Sequence, residues 1–174
     1  YLEFVRHRLS ASSAKFIDKF PENFMYVGWI ARAFPDARFI LVRRDPMDSC
    51  LALYKQVYFR YSYKFDDMAE YVAAFDRVVR HWASLLDGRL MEVRYENLVS
   101  QPEQELRRLM AHIGMDFEPG MLDFEKNQQP VFTASAVQVR EPLHGNSVGK
   151  WKRYARQLAP LRTALAARGL IPDR

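Results

Sequence analysis

Cys50 is the sole cysteine in a chain of 174 residues, so a disulfide framework and a cysteine-rich zinc site are both excluded. A reducing, cytoplasmic setting is the expectation that goes with a lone thiol. No apolar run approaches the roughly 20 residues that a membrane-crossing helix needs. The opening YLEFVRHRLSAS is amphipathic and charged, without the apolar centre of a signal peptide. Internal repeats and low-complexity tracts are lacking too. The histidines, His7, His81, His112 and His144, show no metal-ligand spacing, and neither G-x-G-x-x-G nor G-x-S-x-G occurs. HGNSVGKW (144–151) is one residue short of a phosphate-loop motif. Trp151 also stands where a magnesium-binding hydroxyl belongs, which excludes a nucleotide triphosphatase on this motif. Asp66, Asp67, Asp116 and Glu118 read as helix-terminal or loop charges, giving paired-carboxylate hydrolysis little support.

What is present argues for one globular domain spanning 1–174. Hydrophobic residues make up 49%, with 12 Phe, 9 Tyr and 3 Trp, enough for a substantial core. The net charge of +5 is uneven, for Arg140 to the end carries eight Lys or Arg against Glu141 and Asp173, a balance of +6. Such a segment suits either an anionic partner or a solvated helix face.

Apolar spacing predicts a helix over 2–12, a short strand in KFIDKF (15–20) and a proline-entered helix over 21–34. Phe39 to Val42 reads as a strand buried on both faces, after which Asp45 caps a helix and Pro46 occupies its first turn. A long helix is predicted from Asp66 to about Leu86, and a strand over Arg89–Val93. Ser100 and Pro102 open another helix, which Gly114 closes. An irregular region, 127–149, precedes a final helix with Trp151, Tyr154, Leu158, Leu161 and Leu165 on one stripe. Alternation of strands and helices points to an α/β fold, a parallel sheet flanked by helices with right-handed crossovers. Ligands in such sheets bind beyond the carboxyl ends of the strands, where Lys19, Arg44 and Tyr95 all fall.

Arg44, at a strand end and just before a helix, has the planar fork and the setting that suit a phosphate. An ion pair with Asp45 or Glu96 is the competing expectation. Cys50 is expected to be buried rather than nucleophilic.

The segments DKFPENF, FPDARFILVRRDPMDSCLALY, VRYENLV and TASAVQVREPLHGNSVGKWKRY, in that order, resemble the sulfotransferase family, and among its members bacterial sulfotransferases akin to the protein-tyrosine type. The resemblance covers roughly residues 15–160. It implies a fold related to P-loop kinases and transfer of a sulfuryl group from 3′-phosphoadenosine 5′-phosphosulfate (PAPS) to an acceptor hydroxyl or amine, without a metal. Arg44 then matches the arginine on the 3′-phosphate of PAPS. The serine expected eight residues later is Ala52, a loss of about 1–3 kcal/mol for one hydrogen bond, and Ser49 one turn away is the candidate substitute. Tyr95 resembles the tyrosine beside the nucleotide, Ser135 a serine reaching toward the active site, and Lys150 a lysine on the phosphates. Lys19 resembles the catalytic lysine, a cation suited to the charge that builds on the bridging oxygen as the bond breaks.

The family's loop for the 5′-phosphosulfate, and the glutamate base that follows it in tyrosine-type enzymes, are not identified in this chain. The expectation is therefore the C-terminal portion of a longer sulfotransferase domain. A catalytically incomplete nucleotide-binding or interaction module is the first alternative. A nucleic-acid-binding domain using the basic C-terminal region ranks last, because no recognition motif accompanies the charge. The acceptor stays open among peptide, carbohydrate and small molecule.

Overall fold

In the computed structural model, which describes residues 15–56, 59–126 and 143–172, proline opens the first helical turn. The 3-10 turn Pro21–Met25 leads into helix α1 (Val27–Ala33). One unbroken helix over 21–34 was the expectation, but Tyr26 departs from helical geometry, with φ −106° and ψ 2°. A continuous helix would use the Phe24 carbonyl internally; here it accepts the indole N–H of Trp82 at 2.7 Å instead. KFIDKF forms no strand either, and its residues are exposed. Lys15 at its start donates to the carbonyls of Ile113 and Gly114, tying the segment to a helix end rather than to a ladder. The expected helix over 2–12 and Ser135 lie outside the described residues.

Strand β1 (Phe39–Arg43) runs into helix α2 (Pro46–Gln56) through the expected cap. The Asp45 carboxylate accepts the Asp48 N–H at 2.9 Å, satisfying one of the helix's orphan donors. After the 3-10 turn Arg60–Tyr63 comes the long helix α3 (Phe65–Leu85), whose apolar spacing matched the sequence reading closely. Strand β2 (Leu90–Arg94) then lies parallel to β1, with Phe39 opposite Leu90 and Arg43 opposite Arg94. Parallel neighbours need a long crossover, here α2 and α3. Two short helices follow, α4 (Tyr95–Ser100) and α5 (Pro102–Ile113). Gly114 ends α5 at φ +65°, a left-handed cap that glycine adopts without steric cost.

The core is helical. Met47, Cys50 and Leu51 of α2 meet Met68 and Ala69 of α3, with Leu158 and then Leu161 and Leu165 of helix α6 (Ala159–Ala166). Full burial of each large side chain is worth about 1.5–3 kcal/mol. The final helix is divided: a 3-10 turn Lys150–Tyr154 precedes α6, which restarts with Pro160 in its first turn. The expectation that β1 is buried on both faces is corrected, because Ile40 is 39% and Val42 59% exposed. Among the described residues the sheet has two strands, so β1 has one neighbour and alternates half-buried with exposed positions. The molecule is thus an α/β structure with a parallel strand pair and many helices. No helix among the described residues is long and apolar enough to cross a membrane.

Candidate functional site

The register of the strands brings the site together. Arg43 faces Arg94 across the ladder, so the residues that follow, Arg44 and Asp45, emerge beside Tyr95 and Glu96 at the carboxyl ends of both strands. The Asp45 N–H donates to Glu96 Oε1 at 2.8 Å, closing this edge. The Arg44 guanidinium carbon lies 5.1 Å from the centre of the Tyr95 ring, within cation–π range.

Arg44 forms no ion pair with Asp45 or Glu96 among the described residues. Its Nη2 donates instead to the Ser147 carbonyl at 2.5 Å, on a loop from the far end of the chain. Among the described residues its Nε is buried with no hydrogen-bond partner, as is Glu96 Oε2. Buried polar atoms nearly always find partners, and a guanidinium N–H without one is costly. A free N–H donor on a guanidinium at the carboxyl end of β1 fits an anionic ligand. Arg43, by contrast, is consumed by the protein: Nη1 meets Asp76 at 2.8 Å and Nε meets Glu92 at 2.7 Å. The adjacent guanidinium groups therefore have different partners.

Ser49 and Ala52 share a wall with Arg44 in a cavity of about 560 Å³. The other walls mix aromatic residues, among them Phe24, Tyr61, Tyr71 and Phe75, with charged ones such as Glu22 and Asp76. Tyr61 and Tyr71 stack with centroids 4.0 Å apart and planes 6° from parallel. Burial first, and the neighbouring Tyr71 second, push the Tyr61 phenol well above its ordinary range.

Lys150 opens the 3-10 turn behind Gly149, which has φ +67°, and its side chain is exposed. Sequence reasoning missed what holds this turn. Asp48, only 1% exposed, accepts the Gly149 N–H at 2.6 Å through Oδ2 and the Trp151 N–H at 2.9 Å through Oδ1. The sequence offered one signal, a carboxylate among the core-facing positions Met47, Cys50 and Leu51. Lys19 falls in the exposed 15–20 segment, two residues before Pro21, which lines the cavity. Ser135 falls outside the described residues. Cys50 is fully buried, as expected, and burial pushes its thiol up to about 12, with the Asp45 charge adding to the rise. Among the described residues no group of His, Cys, Asp and Glu side chains is arranged to hold a metal ion.

Comparison with known proteins agrees with this architecture. The profile of the sulfotransferase family matches residues 1–119. An uncharacterized protein of Aquifex aeolicus (strain VF5) is 32% identical over 166 residues, covering 88% of this chain and 21% of its own length. An omega-hydroxy-beta-dihydromenaquinone-9 sulfotransferase of Mycobacterium bovis is 33% identical over 112 residues, covering 58% of this chain and 29% of its own length. Its counterpart in Mycobacterium tuberculosis matches equally. The chain thus spans less than a third of the length of these curated relatives. With the parallel strand pair and the family profile over more than half of its residues, the chain belongs to the sulfotransferase family.

Proposed function

We propose that this chain binds PAPS and takes part in sulfuryl transfer from it to an acceptor hydroxyl or amine. Membership of a sulfotransferase family supports the reaction class. The observation that carries the nucleotide assignment is the buried, unpartnered Nε of Arg44 at the carboxyl end of β1.

In this reading PAPS supplies the activated sulfuryl group, and the chain's own residues bind and orient. Arg44 takes the 3′-phosphate, its guanidinium plane supported by the Tyr95 ring and turned by the Ser147 carbonyl. The Ser49 hydroxyl, on the same cavity wall, supplies a neutral donor. Tyr95 lies beside the nucleotide, and Lys150 and Ser135 add contacts from the C-terminal part of the chain. Lys19 is assigned the catalytic role, holding a positive charge where negative charge grows on the departing phosphate oxygen.

Calorimetry with adenosine 3′,5′-bisphosphate on the wild-type chain and on Arg44→Ala tests the assignment. Binding by the wild type and its weakening in the variant are the expected results. A folded wild-type chain that gives no binding heat and no competition with a fluorescent analogue overturns it.

A further inference from the structure

The buried carboxylate of Asp48 has no part in the assignment above, yet it makes two hydrogen bonds between the two halves of the site. It sits in the first turn of α2, where an acidic residue usually serves the helix dipole from the surface. Asp48 does otherwise: it is 1% exposed, and both its oxygens point away from its own helix. One accepts the Gly149 N–H and the other the Trp151 N–H, so the two bonds bracket Lys150. The Arg44 guanidinium grips the same turn two residues earlier, at the Ser147 carbonyl. A buried charge is tolerated only where hydrogen bonds compensate it, and here the compensating donors are the backbone of a turn from the other end of the chain. Gly149 allows that turn through its φ of +67°, a left-handed conformation that a residue with a β-carbon adopts only with strain.

We propose that Asp48 is a positioning residue: it locks the 147–151 turn onto the start of α2, so that Arg44 and Lys150 address one anion together. This rests on the nucleotide assignment above. Asp48 itself touches no ligand. The two N–H···O⁻ bonds fix the backbone on either side of Lys150, while the Asp45 carboxylate holds Asp48 by accepting the Asp48 backbone N–H.

The experiment is a double-mutant cycle on the full chain, reading the dissociation constant of adenosine 3′,5′-bisphosphate by calorimetry for wild type, Asp48→Asn, Lys150→Ala and the double variant. Asparagine keeps the shape but presents an N–H₂ group to one of the two backbone donors. The expected result is a rise of about 10- to 100-fold for Asp48→Asn. Removing Lys150 in that background should then add less than about twofold, because the two residues act as a unit. Amide exchange at Gly149 and Trp151 should accelerate together in Asp48→Asn. If the buried asparagine prevents folding, Gly149→Ala strains the same turn without touching Asp48, and the same loss of coupling to Lys150 is expected. A folded Asp48→Asn that binds like wild type, or effects that simply multiply, overturns the positioning role while the nucleotide assignment stands. A wild-type chain that binds nothing overturns both.

Discussion

Arg43 and Arg44 are chemically identical neighbours, so replacing each by alanine separates structure from function. Arg43 is 22% exposed and pairs with Asp76, itself 13% exposed, and with the more open Glu92. Its guanidinium carbon also lies 5.9 Å from the centre of the Phe75 ring. Removing it forfeits a partly buried pair, an open pair worth about 0.2–1 kcal/mol and a cation–π contact worth about 0.5–1 kcal/mol. Arg80 still holds Asp76 at 2.7 Å, which limits the damage. A net loss of about 2 kcal/mol is expected for Arg43→Ala, with nucleotide affinity nearly unchanged. Arg44→Ala has the opposite signature. The bond to Ser147 is lost, but so is the burden of a buried N–H without a partner, so stability should move by about 1 kcal/mol at most. Affinity for adenosine 3′,5′-bisphosphate should fall by about 2–4 kcal/mol, or roughly 30- to 1,000-fold, the worth of charge-assisted contacts to phosphate. Urea unfolding and calorimetry on both variants provide the measurements. Equal losses of stability with unchanged affinity in Arg44→Ala would refute the division of roles.

Two further outcomes follow from buried groups elsewhere. The Cys50 thiol is raised from 9.0 to about 12, so the native state holds a proton that the unfolded chain releases earlier. Its stabilising contribution is complete below pH 9 and drains away as pH climbs toward about 12; denaturant midpoints across that window, compared with Cys50→Ala, should show the difference. Gly28→Ala should destabilise by about 1–2 kcal/mol, the overpacking cost outweighing alanine's helical advantage of about 1 kcal/mol. A β-carbon there would lie 2.8 Å from Trp82 Cη2, and the ring is pinned by its N–H bond to Phe24. Urea midpoints decide it, and a stabilised variant would contradict the packing.

Local rules carried the sequence reading where a single segment contains both signal and partner. Asp45 and Pro46 announced the start of α2, and Gly114 announced the end of α5, because caps need only near neighbours. The apolar period of α3 was legible for the same reason. KFIDKF failed because a strand needs a ladder partner that composition cannot supply. The closing helix failed in continuity but not in pattern: Leu158, Leu161 and Leu165 do share the core, although Pro160 makes the helix begin afresh. At the site, Arg44 and Tyr95 were readable as strand ends. Asp48 was not, because its partners lie more than 100 residues away and are backbone N–H groups that carry no residue signature.

The alanine at position 52 acquires a physical meaning from this geometry. Ser49 and Ala52 are neighbours on one helix face, and both line the cavity with Arg44. Moving the hydroxyl from 52 to 49 shifts it by about 4.5 Å along the axis, toward the start of α2. There the positive end of the helix dipole favours an anion more than it does three residues further in. On the proposed reading, Ser49 stands in for the donor lost at 52, closer to Arg44 in sequence and in a more favourable field. On the proposed reading, the anion must also sit nearer the β1–α2 junction. That is the side on which Asp48 holds Lys150, so the departure at Ala52 and the clamp at Gly149 and Trp151 draw the phosphate toward the same point.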